Sequence, residues 1–135
     1  MAKRSPQSAK RWGVDTEVKM VTHLQQVWGL LVERRRLEGV LDRGDIAGIR
    51  KVVVEVKAAT GDTASISTWL NELKAEVNND SADIGFIAAR PRGKPDPKDW
   101  YAVLPLTDLL NLMESVGYFN ADRVIRMGDI SSDTD

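Results

Sequence analysis

Glu55 and Lys57 stand two residues apart in the run Val52-Val53-Val54-Glu55-Val56-Lys57, which is dense in β-branched residues and too short for a helix. Residues two apart on a strand project from one face, so this spacing sets an acid beside a base while Val52, Val54 and Val56 point the other way. Upstream, Arg43-Gly44-Asp45-Ile46 offers a further carboxylate next to a glycine, where a ligand or backbone can come close. If the two segments form an antiparallel hairpin, Asp45 shares the face of Glu55 only with an odd loop such as Ile49, Arg50 and Lys51. A two-residue turn would put Asp45 on the wrong side and need a bulge to correct it. Asp45, Glu55 and the backbone carbonyl of Val56 would together make an all-oxygen site suited to Mg²⁺, with Mn²⁺ as a substitute. Such a metal binds a phosphate oxygen and lowers the pKa of an attacking water. Desolvation near it is expected to lower the pKa of Lys57, whose amine could then orient or deprotonate that water. The chemistry these groups suit is phosphodiester hydrolysis.

Composition removes most other chemistries. The chain has 135 residues and no cysteine, which excludes disulfides, thiolate zinc sites and cysteine nucleophiles. Its one histidine, His23, excludes two-His metal motifs and leaves a single candidate base for a triad. No apolar stretch nears the roughly 18 residues of a membrane span and the start lacks a signal-peptide core, so a cytoplasmic protein is expected. The net charge of -1 conceals an asymmetry: residues 1–36 hold eight basic side chains against three acidic ones, and the last seven residues carry three aspartates and no base. Residues 1–11 are expected to be a mobile basic arm, 12–120 the folded domain, and 121–135 an acidic, disordered tail.

The elements that must position the site follow from periodicity. Val14, Val18, Val21, Leu24, Trp28 and Leu31 recur at helical spacing, marking an amphipathic helix. Strand-like runs follow at about 32–38, 40–48 and 52–57. A second helix carries Ile66, Trp69, Leu70, Leu73 and Val77, with Asp62 or Thr63 as its cap and Asn78, Asn79 and Asp80 at its end. Ile84–Ala89 is a buried strand, 90–99 a Pro/Gly/Lys loop, and Trp100–Leu104 a further strand. Thr107 is expected to cap a last helix through Leu109, Leu110, Met113 and Val116. The fold class is α/β, with order α-β-β-β-α-β-β-α and a central mixed sheet flanked by helices.

Asp45 followed by Glu55-Val56-Lys57 resembles the D…ExK signature of the PD-(D/E)xK nuclease superfamily. With Gly13…Glu17 on the first helix, the arginine-rich first strand and Gly44-Asp45-Ile46, it resembles the archaeal-type Holliday junction resolvases and their small phage-encoded relatives over about residues 12–90. The resemblance implies a restriction-endonuclease-like core in which Glu17, Asp45 and Glu55 bind the metal and Lys57 assists the attack. It also implies a homodimer that cuts a four-way DNA junction symmetrically. Gly44 stands where the family often has proline, and the spacing from Asp45 to Glu55 is tight, so Asp42 is the substitute for Asp45.

Arg34, Arg35 and Arg36, Arg11 in the basic first quarter, Lys74 on the second helix, and Arg90, Arg92 and Lys94 in the loop are candidate DNA phosphate contacts. Each has a plainer reading: an exposed strand end for the arginines, a solvated surface for Lys74. Glu55 and Lys57 could likewise be a solvated ion pair, and Glu17 an ordinary residue bordering the apolar stripe. His23 is expected at the surface, and Trp28 and Trp69 in the core. Trp100 and Tyr101 are read first as the start of a strand, with base stacking as the alternative. The leading expectation is thus a Mg²⁺-dependent endonuclease specific for branched DNA. The alternatives are a nicking or restriction-type nuclease or an exonuclease without junction preference, and a non-catalytic DNA-binding module on the same fold.

Overall fold

The computed structural model describes residues 6–29, 31–35, 44–58, 65–120 and 128. Helix α1 spans Pro6–Trp28 and is followed by β1 (Glu33–Arg34), β2 (Ile46–Ala47), β3 (Val52–Ala58), α2 (Ser65–Asn79) and β4 (Ile84–Arg90). A 3₁₀ turn at Pro97–Asp99, β5 (Tyr101–Val103) and α3 (Leu106–Ser115) complete the order. The expected α/β alternation is present. Asp42, the 36–43 part of the first two strand runs, the caps Asp62 and Thr63, residues 1–5 and the tail other than Gly128 lie outside the described residues. Among the described residues no helix is long and apolar enough to cross a membrane.

Two boundaries differ from expectation. Helix α1 begins at Pro6, so residues 6–11 belong to it and not to an arm. The chain also packs as two units, 1–104 and 105–135, which divides the span expected as one domain over 12–120. In the second unit, α3 starts after Pro105. Thr107 is its second residue and does not cap it; the backbone carbonyl of Pro105 accepts from the N–H groups of Asp108 and Leu109.

Within residues 1–104, β3 runs parallel to β4, with Val52 opposite Ile84 and Glu55 opposite Ile87. β5 pairs antiparallel to β4, and β1 with β2 forms a short antiparallel ribbon. A parallel pair needs a crossover, and α2 supplies it. The consequence for β3 is burial on both sides, not on one apolar face as expected. Val54, Val56 and Ala88 pack with Met20, Val21 and Leu24 of α1, while Val53, Ile87 and Ala89 pack with Leu73 of α2. Glu55 therefore sits inside the molecule, 7% exposed.

The buried face of α1 is turned relative to the expected stripe. Thr16, Met20, Val21 and Leu24 are buried, whereas Val14, Val18 and Trp28 are exposed and Leu31, beyond the helix, fully so. The turn brings Trp12 and Thr16 over Arg90: its guanidinium lies 3.5 Å from the Trp12 ring centroid and donates to Thr16 Oγ1 at 3.1 Å. On the same arc, Glu17 lies angularly between Leu24 and Val21, which directs it toward the sheet.

Candidate active site

Asp45 reaches the site by a route other than a regular hairpin. Val52 N–H donates to Ile49 O at 3.4 Å, closing a two-residue turn at Arg50 and Lys51, the latter with φ 66°. In a regular ladder Val54 would then face Ala47. Instead Asp45 N–H donates to Val54 O at 3.0 Å, a slip of two residues. The slip occurs at Gly48, whose φ of 107° suits glycine, while Ile46 and Ala47 pair with β1. The three-residue loop is thus replaced by the short turn with an irregular correction. Gly44, at φ 95°, passes so close to β3 that a Cβ there would lie 2.7 Å from Val53 Cγ1. This brings the Asp45 carboxylate to the edge of β3, where Val56 N–H donates to Oδ2 at 2.7 Å. Since Val54 O and Val56 N–H both point to this edge, strand alternation aims the Val56 carbonyl there as well.

Asp45 is therefore anchored on the residue between Glu55 and Lys57. Glu55 lies within hydrogen-bonding reach of the carboxyls of both Asp45 and Glu76. Burial, then Glu76 and Asp45, push Glu55 far above the ordinary carboxylate value, to about 11. Its Oε2 is buried with no hydrogen-bond partner. Lys57 Nζ lies 3.9 Å from Glu55 Oε1 and 3.0 Å from Glu72 Oε2. Burial pulls the Lys57 pKa down, but Glu72, Glu55 and Asp45 together outweigh it and the net shift is upward. These carboxylates favour the ammonium form of Lys57, which can orient and stabilise negative charge.

Glu17 accepts from Arg34 Nε at 2.8 Å and pairs with Nη2 at 2.7 Å. Its pKa is raised by burial and by the Asp45 carboxylate, against the opposing pull of Arg34, so Glu17 and Asp45 sense each other's charge. Four predicted site residues, Glu17, Asp45, Glu55 and Lys57, are thus electrostatically linked. Glu76 is the member sequence reasoning missed. It is 3% exposed and lies three residues after Leu73 and seven after Trp69, on the apolar stripe of α2. A carboxylate at a core position of an amphipathic helix was the available signal.

The candidate DNA contacts divide. Arg90 is withdrawn from that role: it is 4% exposed, donates to Asp15 Oδ2 at 2.7 Å and is covered by Trp12, with Trp100 at 5.6 Å. Arg35 is engaged with Asp80 at 3.6 Å. Arg34 is half exposed beside Glu17, and Arg11, Lys74, Arg92 and Lys94 are exposed; Arg36 lies outside the described residues. Trp69 packs against the α2 side of the sheet as expected, but Trp28 is about half exposed. His23 is half-buried and lines a groove of about 220 Å³ with Trp28, Phe86, Pro97 and Tyr101. Trp100 precedes β5 and its Nε1 donates to Lys94 O at 2.7 Å.

Among the described residues no three Asp, Glu or His side chains stand as a preformed metal cage. The donor set nevertheless fits a hard divalent ion: carboxylates and a carbonyl, with one buried carboxylate oxygen lacking any donor. Comparisons of the chain with family models, curated proteins and solved structures returned no match.

Proposed function

We propose that the chain is a divalent-metal-dependent DNA endonuclease of the PD-(D/E)xK type, acting as a homodimer on four-way junctions. The reading rests on one observation above others: the Asp45 carboxylate is bonded to the N–H of Val56, between Glu55 and Lys57. An acid pair and an ammonium at one strand edge are the groups that hydrolysis of a phosphodiester requires. Asp45, Glu55 and the Val56 carbonyl would hold Mg²⁺, with Glu17 adjacent; when bound it supplies Lewis acidity to the phosphate and a lower pKa to the attacking water. Lys57, its ammonium form favoured by Glu72 and Glu55, orients the nucleophilic water and offsets charge developing on the phosphate. Arg34 holds Glu17 in place and, being half exposed, is available to a neighbouring phosphate. A four-way junction has two-fold symmetry, which a C2 dimer matches.

The test is cleavage of four-way junction, flap and linear duplex DNA with Mg²⁺, by the natural chain and by Glu55→Ala and Lys57→Ala. Junction-selective cutting abolished by either substitution supports the proposal. Equal cutting of linear duplex removes the junction preference, undiminished cutting by both variants removes the site, and no cutting of any substrate leaves the DNA-binding module as the better reading.

A further inference from the structure

Resting on the reading of Asp45 as a cation ligand, we propose that Arg35 is a positioning residue of that site: its ion pair with Asp80, just past the end of α2, holds β1 against the Asp45 peptide and so keeps the Asp45 carboxylate at the edge of β3.

Asp45 is gripped from two directions. Its N–H donates to Val54 O at 3.0 Å and its Oδ2 accepts from Val56 N–H at 2.7 Å, both on β3. On the far side its carbonyl accepts from Arg35 N–H at 2.7 Å. This bond continues the register of β1 and β2, in which Glu33 faces Ala47 and Arg34 faces Ile46, so Arg35 stands directly opposite Asp45. A two-stranded ribbon this short is marginal on its own, and its place depends on what it is tied to.

Successive side chains on a strand project to opposite faces, and the adjacent arginines use both. Arg34 reaches α1, with Nη2 2.7 Å from Glu17 Oε2. Buried Val32 adds to that attachment, as does the bond from Gln25 Nε2 to Val32 O at 3.0 Å. Arg35 turns the other way, and its Nη2 lies 3.6 Å from Asp80 Oδ2. The Arg34 side chain is 45% exposed, whereas those of Arg35 and Asp80 are 23% and 18% exposed, so water and salt screen the second pair less. Asp80 N–H donates to Glu76 O at 3.0 Å, which sets Asp80 at the C-terminal end of α2. The helix dipole disfavours an acid there, and a cation beside it offsets both negative ends. The same last turn of α2 lies against Gly44, where an added Cβ would be 3.7 Å from Glu76 Oε2. Arg35 thereby closes a circuit from β3 through Asp45 and β1 to α2.

Ca²⁺ titration and the Val56 amide proton test this without turnover. Val56 N–H bonds a carboxylate oxygen at 2.7 Å, which draws its proton resonance downfield, so the resonance reports where the Asp45 carboxylate stands. Arg35→Met keeps the backbone N–H and the apolar stem and removes the charged end. It should move the Val56 amide proton upfield in the cation-free protein and weaken Ca²⁺ binding about tenfold, the low end for groups acting behind a ligand. Asp80→Asn relieves the end of α2 of an acid and leaves Arg35 in place, yet it should reproduce both effects. The double variant should go no further than either single one. Arg90→Met, at the buried arginine of β4, should leave the Val56 amide and the Ca²⁺ response alone. The inference is overturned if Arg35→Met, or Asp80→Asn where the former does not fold, keeps the natural Val56 shift or the natural Ca²⁺ affinity. It is equally overturned if the two effects add in the double variant, or if Arg90→Met reproduces them. A natural chain that binds Ca²⁺ under those outcomes retains the metal reading, and only Arg35 loses its role. A natural chain that binds neither Ca²⁺ nor Mg²⁺ loses the metal reading, and with it this inference.

Discussion

Arg90 and Glu55 lie on neighbouring strands, both more than nine-tenths buried, and their surroundings treat them in opposite ways. Arg90 finds Asp15 at 2.7 Å, the Thr16 hydroxyl at 3.1 Å and the Trp12 ring face at 3.5 Å. Glu55 finds two further carboxyls and an ammonium that is 3.9 Å away and closer to Glu72. A buried cation with an anion and an aromatic face is balanced within the fold, so its natural role is to tie α1 to β4. A buried carboxyl among carboxyls is not balanced in this way, and Glu55 is pushed far above the ordinary carboxylate value. The two buried groups differ in that Arg90 Nη1 is satisfied by its neighbours and Glu55 Oε2 has no hydrogen-bond partner.

The comparison breaks most visibly in activity. Lys57→Ala should lower kcat on the preferred DNA substrate about 10²- to 10³-fold, the usual cost of removing one charge-stabilising group. Arg90→Met should leave kcat at saturating Mg²⁺ near the natural value; single-turnover cleavage distinguishes the two. The next effect is in pH. The folded value of Glu55, about 11, lies above its ordinary 4.5, so the folded state retains a proton that the unfolded chain releases. The contribution of Glu55 to stability is therefore full below about pH 4.5 and falls as pH rises toward 11. Urea unfolding without divalent cations should show a loss on the order of a few kcal/mol between about pH 5 and 8, and Glu55→Gln should flatten it. A profile equally steep in Glu55→Gln would place the titrating group elsewhere.

Smaller effects sharpen the balanced side. Arg90→Met removes a buried ion pair whose partner, Asp15, is half exposed and can hydrate. The cost should be about 1–3 kcal/mol in urea unfolding, with no change in the Ca²⁺ response. Arg34→Gln breaks the Glu17 pair, in which the Arg34 side chain is 45% exposed. It should cost less than about 1 kcal/mol and shrink further in high salt.

Much of this was legible along the chain because it depends on near neighbours. The valine-rich run around Glu55 is a strand, the recurrence of Trp69, Leu70, Leu73 and Val77 is a helix packed on one side, and the Glu55–Lys57 spacing alone places an acid and a base together. Residues far apart in sequence decided the rest. The face α1 buries differs from the expected stripe because Val14 and Val18 obey the period as well as Met20 does; Met20, Val21 and Leu24 are the ones that pack with Val54, Val56 and Ala88, far along the chain. The approach of Asp45 depends on a two-residue slip that no alternation pattern encodes, made feasible by Gly44 and Gly48.

By itself, then, the sequence determined the kinds of element, their order and the residue types at the strand edge, since propensity and side-chain alternation act over a few residues. Only the tertiary structure decided that both faces of β3 are covered, that carboxylates favour the Lys57 ammonium and that Glu76 joins Glu55. Burial and electrostatic coupling act through space, and the parallel crossover brings together carboxyls separated by twenty residues of chain.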